Sequence, residues 1–260
     1  MKIATWNVNS IRARHDRVLR WLERHEPDVL CLQELKVTEA NFPLLSIEAA
    51  GYKSAVLGQK TYNGVAILSR QPLEDVRPGL SEDDPQARLI SARAGGVRVL
   101  SAYFPNGRTL GSESYEYKLD WMSRLKNELA ASYDPGEPLA LCGDFNVAPE
   151  PRDVHDPAAW EASVLFHPSV REALESIRGF GLVDCFRLHH SEGNLFSWWD
   201  YRMLGFPKNR GLRIDHIFAT QPLADRCREA FIDREERKGK QPSDHAPVMA
   251  SFDVGFAERK

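Results

Sequence analysis

The chain has 260 residues, 42% of them hydrophobic and 27% charged, an ordinary composition for one large globular domain or two small ones. No apolar stretch approaches the length of a membrane span, and the N-terminus enters a strand pattern with no apolar leader, so membrane insertion and secretion are not expected. A net charge of −3, from 34 Lys+Arg against 37 Asp+Glu, excludes a nucleic-acid affinity that rests on overall basicity.

Residues 2–6 read as a strand. Ile11, Val18, Leu19 and Leu22 recur at helical spacing, which predicts a helix over residues 12–25 that stops before Pro27. Residues 28–32 form the next strand, and residues 42–49 a short helix closed by Gly51. Strands are expected at 52–57 and 64–69 around the Tyr62-Asn63-Gly64 turn, and a hairpin at 89–94 and 97–103 across Gly95-Gly96. Ser112 opens a long helix reaching to about residue 133, with Pro135-Gly136 past its end. Residues 138–142 are a buried strand, 168–177 a helix ending near Gly179, and 214–219 and 247–252 late strands. No linker, repeat or low-complexity tract divides the chain, so one domain over residues 1–260 is expected. Cys31, Cys142, Cys185 and Cys227 lack CxxC spacing, which argues against a zinc site and for free thiols in a reducing compartment.

Several strands leave into polar clusters. These are Trp6-Asn7-Val8-Asn9, Gln33-Glu34, Gly143-Asp144-Phe145-Asn146, Arg213-Ile214-Asp215-His216 and Ser243-Asp244-His245. A run such as Val29-Leu30-Cys31-Leu32 is apolar on both faces and has no structural need for Gln-Glu at its exit. Convergence of these ends on one acidic, His-containing site would suit a hard divalent cation and a phosphate ester. Each cluster has a plainer alternative. Glu34 could be a solvated acid, Asp144 could close an Asx-turn, and His245 could be a satisfied structural histidine. Tyr103, before Phe104-Pro105-Asn106-Gly107, could contact a phosphate oxygen or simply pack under its loop. The run Phe196-Ser197-Trp198-Trp199-Asp200-Tyr201-Arg202 suits stacking on bases or sugars, although one of the two tryptophans should be core. Beside it, residues 202–213 carry Arg202, Lys208, Arg210 and Arg213 with no acid, a basic loop able to place a phosphodiester backbone.

These motifs resemble the exonuclease III family, Mg²⁺-dependent apurinic/apyrimidinic (AP) endonucleases and 3′-exonucleases of the endonuclease/exonuclease/phosphatase superfamily. Leu32-Gln33-Glu34, Gly143–Asn146 and Ser243-Asp244-His245 identify the superfamily chemistry. Trp6-Asn7-Val8-Asn9-Ser10-Ile11-Arg12-Ala13, Ala102–Gly107, Phe196–Arg202, Asn209–Asp215 and Pro242–Pro247 are the more specific matches. The resemblance implies a four-layer α/β sandwich, two mixed β-sheets packed face to face and flanked by helices. It implies Glu34 as main ligand of Mg²⁺ (or Mn²⁺ in its place), helped by Asn7 and Asp244, with Lys36 supporting Glu34. Asp144 would orient or deprotonate the attacking water, and Asp215 would pair with His245, which faces the scissile phosphate. Tyr103 and Asn146 would contact phosphate oxygens, and Trp198 would wall the pocket for a flipped abasic sugar. Arg88 and Arg210 would contact DNA. Asn9 stands where some relatives carry Asp, Ser10 where Gly is usual, and Leu212 where some have an aromatic pocket residue. The implied enzyme is a monomer of the bacterial cytoplasm, working at the nucleoid on duplex DNA with abasic sites or 3′ ends. It would cut 5′ of the abasic site to leave a 3′-hydroxyl and would trim 3′ ends. Two other readings fit the same residues: a phosphodiesterase of the superfamily acting on RNA or a small ester, and a non-catalytic DNA-binding relative.

Overall fold

The computed structural model describes residues 1–80 and 84–255. One six-stranded sheet is built from β1 (Lys2–Asn7), β2 (Val29–Gln33), β3 (Lys53–Leu57), β4 (Val65–Ser69), β13 (Cys227–Ile232) and β14 (Val248–Phe252), in the order β13-β14-β1-β2-β4-β3. The other contains β5 (Glu74–Pro78), β6 (Leu89–Ala94), β7 (Val97–Tyr103), β8 (Leu139–Asp144), β9 (Leu182–Asp184) and β12 (Asp215–Thr220), in the order β5-β6-β7-β8-β12-β9. A short ribbon pairs β10 (Trp198–Trp199) with β11 (Gly211–Leu212).

Period-two alternation sorts the strand residues into layers. Ile3, Val29 and Cys31 of the first sheet meet Val99, Ala140, Cys142 and Ile217 of the second in one core between the sheets. The intervening Ala4, Leu30 and Leu32 point the other way, onto α1 (Ile11–His25) and α2 (Leu44–Ala49). Leu100, Leu139 and Leu141 likewise face α3 (Glu113–Ser132) and α5 (Pro168–Arg178). The result is the four-layer sandwich with mixed sheets. Ser10 caps α1 by accepting from the Ala13 amide, and Glu26 ends it in a left-handed conformation. Ser112 caps α3 in the same way through Tyr115.

Four strands fall outside the sequence expectations, apart from the ribbon's short partner. The edge strand β5 is exposed at every residue, so it carries no apolar run to read. The edge strand β13 (CREAFI) is interrupted by charge, β9 has only three residues, and β10 lies inside the aromatic run. Two short helical turns, α4 (Pro157–Trp160) and α6 (Gln221–Ala224), are also unannounced.

Topology fixes where the polar clusters go. β1 runs parallel to β2 through α1, and β7 parallel to β8 through α3. The C-terminal ends of each parallel pair therefore lie side by side, with Asn7 opposite Gln33 and Tyr103 opposite Asp144. β12 and β14 run antiparallel to β8 and β1, so their N-terminal ends reach the same edge. Asp215 pairs in register with Asp144, and His245 lies just before β14.

Candidate active site at the strand ends

Gly143 is required where β7 and β8 converge. A Cβ there would lie 1.8 Å from the Ala102 carbonyl oxygen, and its φ is +154°. Beyond the strand ends the chain turns through left-handed conformations at Asn9 (φ 44°), Glu34 (φ 51°), Lys36 (φ 57°) and Asn146 (φ 49°). Such backbone in side-chain-bearing residues is held by its surroundings, and its clustering here marks a constrained edge.

At the centre, His245 and Asp215 are both buried and joined by bonds of 3.0 and 2.9 Å from Nδ1 to the two carboxylate oxygens. The Ser197 hydroxyl donates to Asp215 Oδ2 at 2.6 Å and accepts the Ile214 and Asp215 amides, each at 3.0 Å. The other ring nitrogen, Nε2, lies 3.7 Å from Asp144 Oδ2. Burial alone would discharge this imidazole. The carboxylates of Asp215, then Asp144, override it and raise the His245 pKa from 6.5 to about 10. Asp144 is raised to about 7 because burial disfavours its charge, with the His245 cation opposing and Asp215 adding to the rise. A buried acid titrating near neutrality beside a held imidazolium is an acid–base arrangement.

Asn7 donates through Nδ2 to Glu34 Oε1 (2.8 Å) and Asp144 Oδ2 (2.9 Å), tying the two carboxylates together. Its oxygen accepts the Asn9 amide at 2.9 Å. The Asn7 amide nitrogen is thus the atom that faces the two carboxylates. Asp244 is held by two donors of its own. Asn9 Nδ2 (2.9 Å) and Trp198 Nε1 (3.0 Å) hold its two oxygens, and it stands outside the Glu34, Asp144 and His245 group, whose ligand atoms lie within 4.8 Å of one another. The His245 cation and the Asn9 and Trp198 hydrogen bonds outweigh burial and hold the Asp244 pKa low. Lys36 sits 2.8 Å from Glu34 Oε2 and 2.6 Å from Asn9 Oδ1. Two carboxylates facing one partly open space fit a hard, oxygen-seeking cation.

Asn146 is saturated from within. Nδ2 donates to Phe104 O (3.0 Å) and Asp144 Oδ2 (3.2 Å), and Oδ1 accepts from Asn106 (3.0 Å). Its amide N donates to Asp144 Oδ1 at 2.9 Å, so the Asx-turn is real and at the same time aims the acid. Both hydrogens of the Asn146 side-chain amide are thus engaged within the protein. Burial, then the Glu34 and Asp144 charges, push the Tyr103 phenol well above its ordinary pKa, so it remains a donor. Arg88 lies over the Tyr103 ring at 4.8 Å, along a groove of about 570 Å³ that Arg108 and Tyr62 also line.

Trp199 is core and Trp198 half-buried, bridging to His245 through its backbone. Leu212, expected at the pocket wall, is fully buried in the outer core behind Trp198 and offers no surface to DNA. Trp160, unsingled by the sequence, meets Trp198 edge-on at 6.2 Å. The basic loop also contracts. Arg213 is buried in ion pairs with Asp153 (2.6 Å) and Asp184 (2.7 Å), and Arg202 pairs with Asp200 (2.8 Å), leaving Lys208 and Arg210 exposed. Ser197 and Asn106 were missed although both stand inside runs the sequence marks out.

The comparisons agree with this geometry. The model of the Endonuclease/Exonuclease/phosphatase family matches residues 4–245. Exodeoxyribonuclease III of Haemophilus influenzae is 36% identical, over 97% of this chain and 100% of the relative. The structure of an AP endonuclease from Archaeoglobus fulgidus superposes with a TM-score of 0.95 at 43% identity, covering 98% of this chain and 100% of that one. The 3′ phosphatase NExo from Neisseria, bound to product DNA hairpin, superposes with a TM-score of 0.94 at 40% identity, covering 97% and 99%. The chain is a hydrolytic nuclease of the exonuclease III branch of the endonuclease/exonuclease/phosphatase family.

Proposed function

We propose that the chain acts as one catalytic domain, a monomeric DNA-repair nuclease of the cytoplasm. It hydrolyses duplex DNA 5′ of abasic sites to leave a 3′-hydroxyl and removes nucleotides or blocking groups from 3′ ends. The observation that carries this reading is the Asp215–His245–Asp144 series beside Glu34, with both ring nitrogens of His245 facing carboxylates.

In this reading Asp144, raised to about 7, accepts the proton of the attacking water. Asn7 and Asn146 aim it through their bonds to its oxygens. His245, held charged by Asp215, donates to the phosphate as negative charge develops on its oxygens. Tyr103, kept protonated, donates to another phosphate oxygen. Glu34 would hold Mg²⁺, or Mn²⁺ in its place, beside Asp144, with Lys36 fixing the Glu34 carboxylate. When bound, the metal supplies charge neutralisation at the phosphate and the leaving 3′-oxygen. Trp198 borders the space before His245, where an extruded abasic sugar would sit, and Arg88 and Arg210 would contact the DNA backbone. An abasic nucleotide is the cheapest to extrude, because it has no base to unstack or unpair.

The test uses labelled duplexes carrying one abasic-site analogue, a recessed 3′ end or a 3′-phosphate, each with Mg²⁺ and with EDTA. Metal-dependent incision at the analogue is expected, and the three rates rank the activities. Folded protein that cuts none of them while cleaving RNA would replace this reading with the RNA one.

A further inference from the structure

We propose that Lys118 is a positioning residue for the nuclease reaction, its ammonium clamping three loops so that Asn146 is held against Asp144. Lys118 lies on α3 in the stripe of buried residues formed by Tyr115, Trp121, Met122, Leu125 and Leu129, and is itself 0% exposed. Its Nζ donates to the carbonyls of Asn146 (2.7 Å), Val164 (2.7 Å) and Asn106 (3.2 Å). Three donors thus meet three acceptors, the full complement of an ammonium group. One of those acceptors belongs to Asn146, in its left-handed turn at φ 49°, and another to Asn106, whose amide fixes the Asn146 side chain.

This position is costly for a lysine. Among the described residues no carboxylate lies within ion-pair distance, and burial lowers its pKa from 10.5 to about 7, against a small pull from Asp144. A leucine or methionine would complete the apolar stripe without that penalty. What a leucine cannot do is join the loops that follow β7 and β8. The space for the lysine is also kept open. Gly107, at φ +90°, would put a Cβ 3.0 Å from Lys118 Cδ.

The inference rests on the reading that Asn146 aims Asp144, and a double-mutant cycle separates the two. Asn146→Ala, Lys118→Met and the pair are compared on the abasic-analogue duplex, with melting curves and single-turnover rates. Lys118→Met is expected to lower kcat about tenfold to a hundredfold with KM little changed, the scale of a misaligned reacting group. Added to Asn146→Ala, it should cost less than about twofold, because both act on one carboxylate. If Asn146→Ala keeps normal kcat, the reading of Asn146 fails. If Asn146→Ala is impaired while folded Lys118→Met is not, or if the two losses multiply, the role of Lys118 fails. Should Lys118→Met not fold, Gly107→Ala carries the test by pressing on the lysine stem. A several-fold loss of kcat that vanishes in the Asn146→Ala background supports the clamp, and an unchanged or additive kcat overturns it.

Discussion

Replacing Asp215 by Asn keeps the shape of the site and removes the anion that charges His245. The rise of the His245 pKa from 6.5 to about 10 is worth roughly 5 kcal/mol in favour of the imidazolium. Burial opposes that rise, and Asp215 is the largest cause in its favour. Without it, Asp144 at 3.7 Å and the charge of Asp244 are left to oppose burial, so the variant imidazole should titrate below neutrality. The His245 Hε1 resonance, assigned with His245→Gln, reports this directly. In the parent protein it should stay in its protonated position through pH 8, and in Asp215→Asn its midpoint should fall below 7. The linkage has a definite sign. A histidine with a raised folded pKa contributes stability that is fully present below 6.5 and is lost as pH rises through about 10. Urea unfolding between pH 7.5 and 9.5 should therefore show the parent losing up to about 1.4 kcal/mol per pH unit from this group, and the variant losing much less. Asp144, also raised, gives a slope of the same sign but below its value of about 7, outside that window. A parent His245 that titrates near 6.5, or equal alkaline slopes in the two proteins, would refute the charged dyad.

Glu34→Gln should raise the Mg²⁺ concentration for half-maximal cleavage at least about tenfold, since one carboxylate of the pair loses its charge. An unchanged midpoint in a metal titration would place the ion elsewhere. Arg213→Met leaves Asp153 and Asp184 buried and facing each other, which should cost about 3–5 kcal/mol in urea unfolding. A loss under about 1 kcal/mol would mean that neighbouring Arg187, already bonded to Asp153, takes over its charge. Gly143→Ala drives a methyl into the Ala102 carbonyl, so β7 and β8 must part. Its melting temperature should drop and cleavage should fall with it. Parent-like melting would show that the two strands can separate at little cost.

The interior was the legible part of the fold. Central strands such as β2, β4 and β8 are apolar on both faces and bounded by turn residues, a pattern that only a sheet covered on both sides explains. Edge strands lack that signature: β5 is wholly exposed and β13 mixes charge into its run. The members of the site were also legible, because a polar pair at the exit of an apolar run has no packing reason to be there. Their detailed bonding was not. Which atom of Asn7 faces Glu34, or whether Asn146 has a hydrogen to spare, depends on contacts across 27 and 42 residues of sequence that no local pattern encodes. Arg213 was misjudged for the same reason, since its two acidic partners come from distant segments. Lys118 did leave a trace: a lone charge where helical spacing demands an apolar side chain.

The way strand direction assembles the site explains why so few residues must be specified. Two parallel pairs, β1 with β2 and β7 with β8, each place two chain exits about one strand spacing apart, before any side chain is chosen. The antiparallel β12 and β14 then enter at the same edge, bringing Asp215 and His245 to groups already fixed by the sheets. Rigid strands set the backbone of Asn7, Asp144 and Asp215, all fully or almost fully buried. The turns just beyond them, at Asn9, Glu34, Lys36 and Asn146, use left-handed backbone to aim their side chains. Those turns are where bracing is concentrated: Lys36 on Glu34, and the Asn106 and Lys118 contacts on Asn146. Removing a brace should therefore cost turnover more than stability, whereas removing a strand-end packing residue such as Gly143 should cost both.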